Sequence, residues 1–354
     1  MRPAAAPLLV VLVLTIASCG HEAPFAWSGG GADTLGPFGG EGAVPRRLTF
    51  NPGDDRNPSV TGNMLVFSRL DGTHGRERCL AFLAAAGGTL HRTVCPPPPA
   101  SPADTMVDTW VEPALSPDGS QIAFVWQKSG PVSYYTWTRD LIVAPTNDPG
   151  HPTFVWQSWY VLPDGRTATA VSKPMWLGPT TIRFLASYER VFKVKGGGAE
   201  RLTDTLVDAY SLVDLNFATG DPGGGTVSIV PGDDSTIAYA PVATGGVWLV
   251  KSSDSTRLLF LAPGADTTVG VATFSGPVVD LANVAGVPVA LLGGGGEVVE
   301  WIDLTTGTVG QTGAATPIRR IAAVPGTRRF VAEIETTADP LASVGANLWL
   351  FAVP

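Results

Sequence analysis

Only four histidines and three cysteines occur in the 354 residues, and their spacing excludes several chemistries. His21, His74, His91 and His151 form no His-x-x-x-His pair, and there is no Cys-x-x-Cys. The common zinc spacings are therefore missing. There is also no Gly-x-Ser-x-Gly elbow to present a serine nucleophile on a strand-turn-helix corner. No long amphipathic helical pattern appears anywhere in the chain. Charged residues are few, at 15%, and the net charge of −8 argues against nucleic acid or an anionic lipid surface as partner.

What the chain has instead is turns. It carries 42 Gly and 31 Pro beside 44% hydrophobic residues, a composition suited to many short strands with a substantial core. The clearest unit runs from Glu112 to Trp126. Leu115, Ile122, Phe124 and Trp126 fall largely at period two, around a turn at Ser116-Pro117-Asp118-Gly119. Proline presets φ for the second turn position, aspartate caps the local backbone, and glycine adopts a left-handed conformation cheaply. A single hairpin cannot bury its apolar face alone, so its recurrence carries the weight.

Five weaker copies are readable. They lie at Thr61-Gly62-Asn63, at Lys173 to Leu185, at Val227 to Tyr239 around Pro231-Gly232-Asp233-Asp234, at Val278 to Leu292, and at Ile318 to Ala332 around Pro325-Gly326. A spacing of about 40 to 60 residues is that of a four-stranded propeller blade. Two further apolar segments follow each of the first five hairpins; for the third these are Val191 to Val194 and Arg201 to Thr203. The last blade ends after a third strand, Asn347 to Phe351, while Arg46 to Phe50 at the other end is an unclaimed strand. Pairing that strand onto the last blade would close the ring. The expected fold is all-β: a six-bladed β-propeller over residues 46–354.

Ser116-Pro117-Asp118-Gly119 with Ile122-Ala123-Phe124, together with the Arg-Leu-Thr outer strands, resembles the WD40-like repeat of the TolB-type β-propeller family. The resemblance implies a propeller. It does not choose between periplasmic interaction proteins and the propeller halves of serine peptidases, because function does not follow fold.

The N-terminus reads as an export signal. Arg2 precedes the apolar stretch Leu8 to Ile16, which is too short to span a bilayer. Ile16-Ala17-Ser18-Cys19-Gly20 resembles a bacterial lipobox, which implies removal of residues 1–18 and acylation of Cys19. Two or more acyl chains anchor stably where one does not. Residues 19–45, rich in glycine, then read as a tether. Gly20, in place of an aspartate, points to the outer membrane.

Cys79 and Cys95 lie symmetrically about Gly87, eight residues to each side, so a hairpin centred there would place them opposite each other. An exported chain permits the disulfide. Tyr134, Tyr135, Trp137, Trp159 and Tyr160 form an aromatic-rich stretch suited to a protein partner, with blade core as the blander role. Asp54, Asp55, Asp204, Asp208, Asp233 and Asp234 are read as loop residues. They could bind calcium, though none follows a recognised calcium-loop spacing. The expected function is a lipid-anchored, extracytoplasmic, non-catalytic module that binds an envelope protein, with no catalytic residue, metal or cofactor assigned. The alternative is a metal-dependent propeller hydrolase or lactonase with a central-channel site.

Overall fold

The computed structural model describes residues 45–49, 54–62, 64–70, 78–84, 90–97, 107–129, 138–157, 160–188, 190–194, 201–205, 210–217, 225–230, 235–294, 298–314, 316–335 and 345–354. All regular structure among them is antiparallel strand, six blades around a channel and one separate two-stranded ribbon. The first blade holds β2 (Asp54–Thr61), β3 (Met64–Leu70), β4 (Cys79–Ala84) and β5 (Leu90–Val94), and the second β6 (Val107–Leu115), β7 (Gln121–Ser129), β8 (Thr138–Pro145) and β9 (Phe154–Trp156). The third is built from β11 (Thr167–Trp176), β12 (Thr181–Tyr188), β15 (Tyr210–Phe217) and β16 (Gly225–Ile229). It is extended at its inner edge by β10 (Tyr160–Val161). The fourth comprises β17 (Thr236–Pro241), β18 (Val247–Lys251), β19 (Asp254–Leu261) and β20 (Val269–Thr273). The fifth comprises β21 (Val278–Val284), β22 (Val287–Leu292), β23 (Val298–Ile302) and β24 (Val309–Gly313). The sixth has β25 (Ile318–Val324), β26 (Arg329–Glu335) and β27 (Ala346–Ala352).

The outer strand of that sixth blade is β1 (Arg46–Arg47), from the other end of the described chain. Arg46 pairs with Leu350 and Arg47 with Trp349, and the Leu48 N–H continues the ladder by donating to the Leu348 carbonyl at 2.7 Å. The expected closure is therefore present. Packing agrees, because the buried apolar residues fall into six clusters, one between each pair of neighbouring blades. The cluster joining the last blade to the first includes Leu48, Val60, Phe67, Val331 and Leu348.

Two strand assignments differ from the sequence reading. Val191–Val194 and Arg201–Thr203 do not form the outer half of the third blade. They belong to a separate ribbon, β13 (Arg190–Val194) and β14 (Arg201–Thr205), inserted before β15. Consequently Val227–Ile229 is the outer strand of the third blade, and the fourth begins one strand later than read, with Ile237-Ala238-Tyr239 on its innermost strand. The inserted ribbon has a valid hairpin pattern of its own, which local periodicity cannot tell from blade strands.

The turn at Ser116–Gly119 is built as its residues require. The Gly119 N–H donates to the Ser116 carbonyl at 2.8 Å with φ of 72°. Asp118 accepts from the Ser116 hydroxyl and the Ser120 N–H, which holds its carboxyl down at about 2. Cys79 and Cys95 form a disulfide, one step beyond the Leu80–Val94 pair of β4 and β5.

Candidate functional site

The six innermost strands surround a cavity of about 570 Å³ on the channel axis. Three of them share a device. In β2, β6 and β11 the ladder is interrupted by a bulge at Asn57-Pro58, Glu112-Pro113 and Lys173-Pro174. Proline has no N–H to give a ladder and is confined within sheets to such places. The residue before it has positive φ in each case: 53° at Asn57, 52° at Glu112 and 51° at Lys173. Non-glycine residues in this region cost on the order of 1–3 kcal/mol each and concentrate at functional sites. Here all three line the cavity.

Their side chains join those of the later blades in one charged layer. Glu112 accepts from Arg320 on β25 at 2.9 Å and from Arg139 on β8 at 2.8 Å, while its second oxygen accepts the Lys173 N–H. Lys173 reaches Asp280 on β21 at 2.9 Å and the Val279 carbonyl at 3.2 Å. Asp280 uses its other oxygen to accept the Ile321 N–H at 3.0 Å. From the fourth blade, the Tyr239 hydroxyl proton is shared between the carbonyls of Lys173 and Arg183. Glu333 on β26 accepts from Arg56 and from the Asn57 N–H at 2.8 Å.

Burial and pairing compete in this layer. Burial by itself would raise Glu112, but Arg320, Arg139 and the Lys173 N–H hold it below the ordinary carboxylate range. Burial lowers the Lys173 ammonium and raises the Tyr239 hydroxyl. It also raises Glu333 despite the Asn57 N–H and Arg56. From this floor to the hairpin-turn end of the strands the walls are largely apolar, with Val60, Leu115, Met175, Trp176, Leu281 and Ala322 among the lining residues.

The layer is poorly made for a metal. Both carboxylates nearest the axis already have cationic partners and a backbone N–H each, which a hard cation would have to compete with. Among the described residues, no group of three or more His, Cys, Asp and Glu is placed to hold an ion. Asp54 and Asp55, read from sequence as loop residues, lie on β2; Asp55 is fully buried against Arg69, and Asp54 pairs with Arg56 and Arg78. Asp204 lies on β14, while Asp208, Asp233 and Asp234 fall outside the described residues.

Cys19, Tyr134, Tyr135, Trp137 and Trp159 also lie outside the described residues. Tyr160 is 41% exposed on the short β10, with its ring 5.2 Å from that of Trp156. Trp156 is blade core, packed 5.1 Å from Phe184. Sequence reasoning did not find the cavity residues Asn57, Glu112, Lys173, Tyr239, Asp280 and Arg320. The signal for three of them was a polar residue before proline, repeated within strand patterns.

No protein-family profile and no curated protein matches the sequence. Solved structures do. A gluconolactonase from Xanthomonas campestris superposes with a TM-score of 0.52 at 11% identity, over 88% of this chain and 90% of that one. The likeness is one of fold. A calcium-binding regucalcin from Agrobacterium tumefaciens gives 0.51 at 14% identity, over 87% and 94%. A prolyl endopeptidase gives 0.53 at 13% identity over 85% of this chain, which spans about half of that protein's length. At such identities these neighbours support the six-bladed propeller and leave the chemistry to the residues present.

Proposed function

We propose that the protein is a non-catalytic binding module of the cell envelope, held by lipid at Cys19 and presenting its propeller to an envelope protein partner. The observation that carries this reading is the state of the channel floor. Glu112, Lys173, Asp280 and Arg320 are engaged with one another, which suits a fixed recognition surface better than a reacting centre. No nucleophile with an adjacent base is among them. The disulfide suits an oxidising, extracytoplasmic compartment, and the lipobox and tether suit attachment to a membrane, with the outer membrane as its destination.

The second reading, a metal-dependent hydrolase or lactonase, draws support from the names of two solved neighbours. The donor chemistry of the floor weighs against it. The test is affinity capture from detergent-solubilised envelopes, with wild type and Cys19→Ser compared for retention in the membrane fraction. A stoichiometric partner and loss of membrane retention in the variant are expected. Hydrolytic turnover that chelation abolishes would overturn the reading.

A further inference from the structure

The channel floor keeps unused hydrogen-bond donors on its cations. Glu112 accepts from Arg320, Arg139 and the Lys173 N–H, and Asp280 from Lys173 and the Ile321 N–H. The cations are not filled. Arg320 has five N–H donors, of which one donates to Glu112 at 2.9 Å. Its Nη1 stands 4.0 Å from Asp280, beyond hydrogen-bond range, and its side chain is 24% exposed to the cavity. Lys173 places two of its three ammonium protons, on Asp280 and on the Val279 carbonyl.

The charged side chains that line the floor, Glu112, Lys173, Asp280 and Arg320, balance in number, so the open donors of Arg320, not a net charge, select the ligand. The adjoining pairs Arg69–Asp55 and Arg183–Asp214 are each neutral. The rest of the cavity lining is mainly apolar. In such a low-dielectric recess a single opposite charge interacts far more strongly than at the surface.

We propose that the central cavity is a binding site for a small amphipathic carboxylate, whose anionic end sits on the free donors of Arg320 and whose apolar body lies against Leu115, Met175, Trp176 and Leu281. Arginine suits the role because its planar fork matches a carboxylate in bidentate geometry. The cavity, at about 570 Å³, lies within the size range of small-molecule sites, which are mainly apolar with a few orienting polar groups. The site rests on the binding-module reading and names a ligand class for it.

Calorimetric titration of octanoate into the purified protein, beside octanol and octylammonium, tests this. Two variants accompany it: Arg320→Met removes the donors, and Ala322→Trp fills the cavity from the channel-facing side of β25, two residues along from Arg320. Octanoate is expected to bind at least ten-fold more tightly than either analogue. Arg320→Met should cost ten-fold or more, and Ala322→Trp, which leaves the floor intact, should abolish binding. Octanol binding as tightly as octanoate, octanoate affinity unchanged in a folded variant, or no binding of octanoate by wild type would each overturn the site. In those outcomes the binding-module reading still stands if a partner is captured from envelopes. It falls separately if chelation removes a hydrolytic activity.

Discussion

Arg320 on the sixth blade donates to Glu112 on the second at 2.9 Å, across 208 residues of sequence and past the first blade. Lys173 and Asp280 make the parallel link between the third and fifth blades, past the fourth. The ring is thus braced across its axis as well as around its circumference. The predicted consequence is that Glu112→Gln destabilises by about 3 kcal/mol, since removing one partner of a buried pair strands the others. Denaturant unfolding measures this. A change under about 0.5 kcal/mol would mean that the brace contributes nothing.

Glu112 and Glu333 should act oppositely on the pH dependence of stability. Glu112 is held below its ordinary value, so its contribution is present above the unfolded carboxylate pKa and is lost as pH falls through the folded one. Glu333 is raised by burial, so its ionisation opposes folding, and that cost is relieved as pH falls through its raised value. Unfolding curves between pH 3 and 7 should show Glu112→Gln weakening the acid-side loss of stability and Glu333→Gln deepening it. Identical slopes in both variants would contradict the assignment.

Closure by the N-terminal strand predicts a specific weakness. Leu48→Pro deletes the N–H that bonds the Leu348 carbonyl at 2.7 Å and removes a side chain from the cluster joining the last blade to the first. Its cost should reach roughly 3 kcal/mol, combining the lost ladder bond with a lost buried apolar side chain. Amide exchange should quicken first in β27. Uniform loss of protection across all blades would instead mean that the ring opens only on global unfolding.

How far the sequence revealed this architecture depended on the range of the interactions. The turn at Ser116–Gly119, the Cys79–Cys95 bridge and the unclaimed strand at Arg46–Phe50 were legible because each follows from local periodicity or symmetric spacing. The ribbon β13–β14 was misassigned because it has the same hairpin pattern as a blade strand pair. The floor was invisible for another reason. Glu112, Lys173, Asp280 and Arg320 come from four blades, and only ring closure brings them together. Glu112 and Lys173 left a trace, Glu112-Pro113 and Lys173-Pro174 like Asn57-Pro58, a polar residue before an in-strand proline, which marks a bulge before it suggests a site; Asp280 and Arg320 left none.

The disulfide joins cysteines 16 positions apart in sequence, a link worth about 3 kcal/mol in the chain-entropy account. The Cys79→Ser, Cys95→Ser double variant should lose about that much, and reductant should shift wild type equally. A double variant as stable as oxidised wild type would contradict the prediction.

If the channel binds without reacting, as proposed, elemental analysis of the purified protein should find no stoichiometric calcium or zinc, and chelator should leave unfolding unaffected. One equivalent of either metal, with stability or hydrolytic activity lost on chelation and restored by the ion, would contradict it.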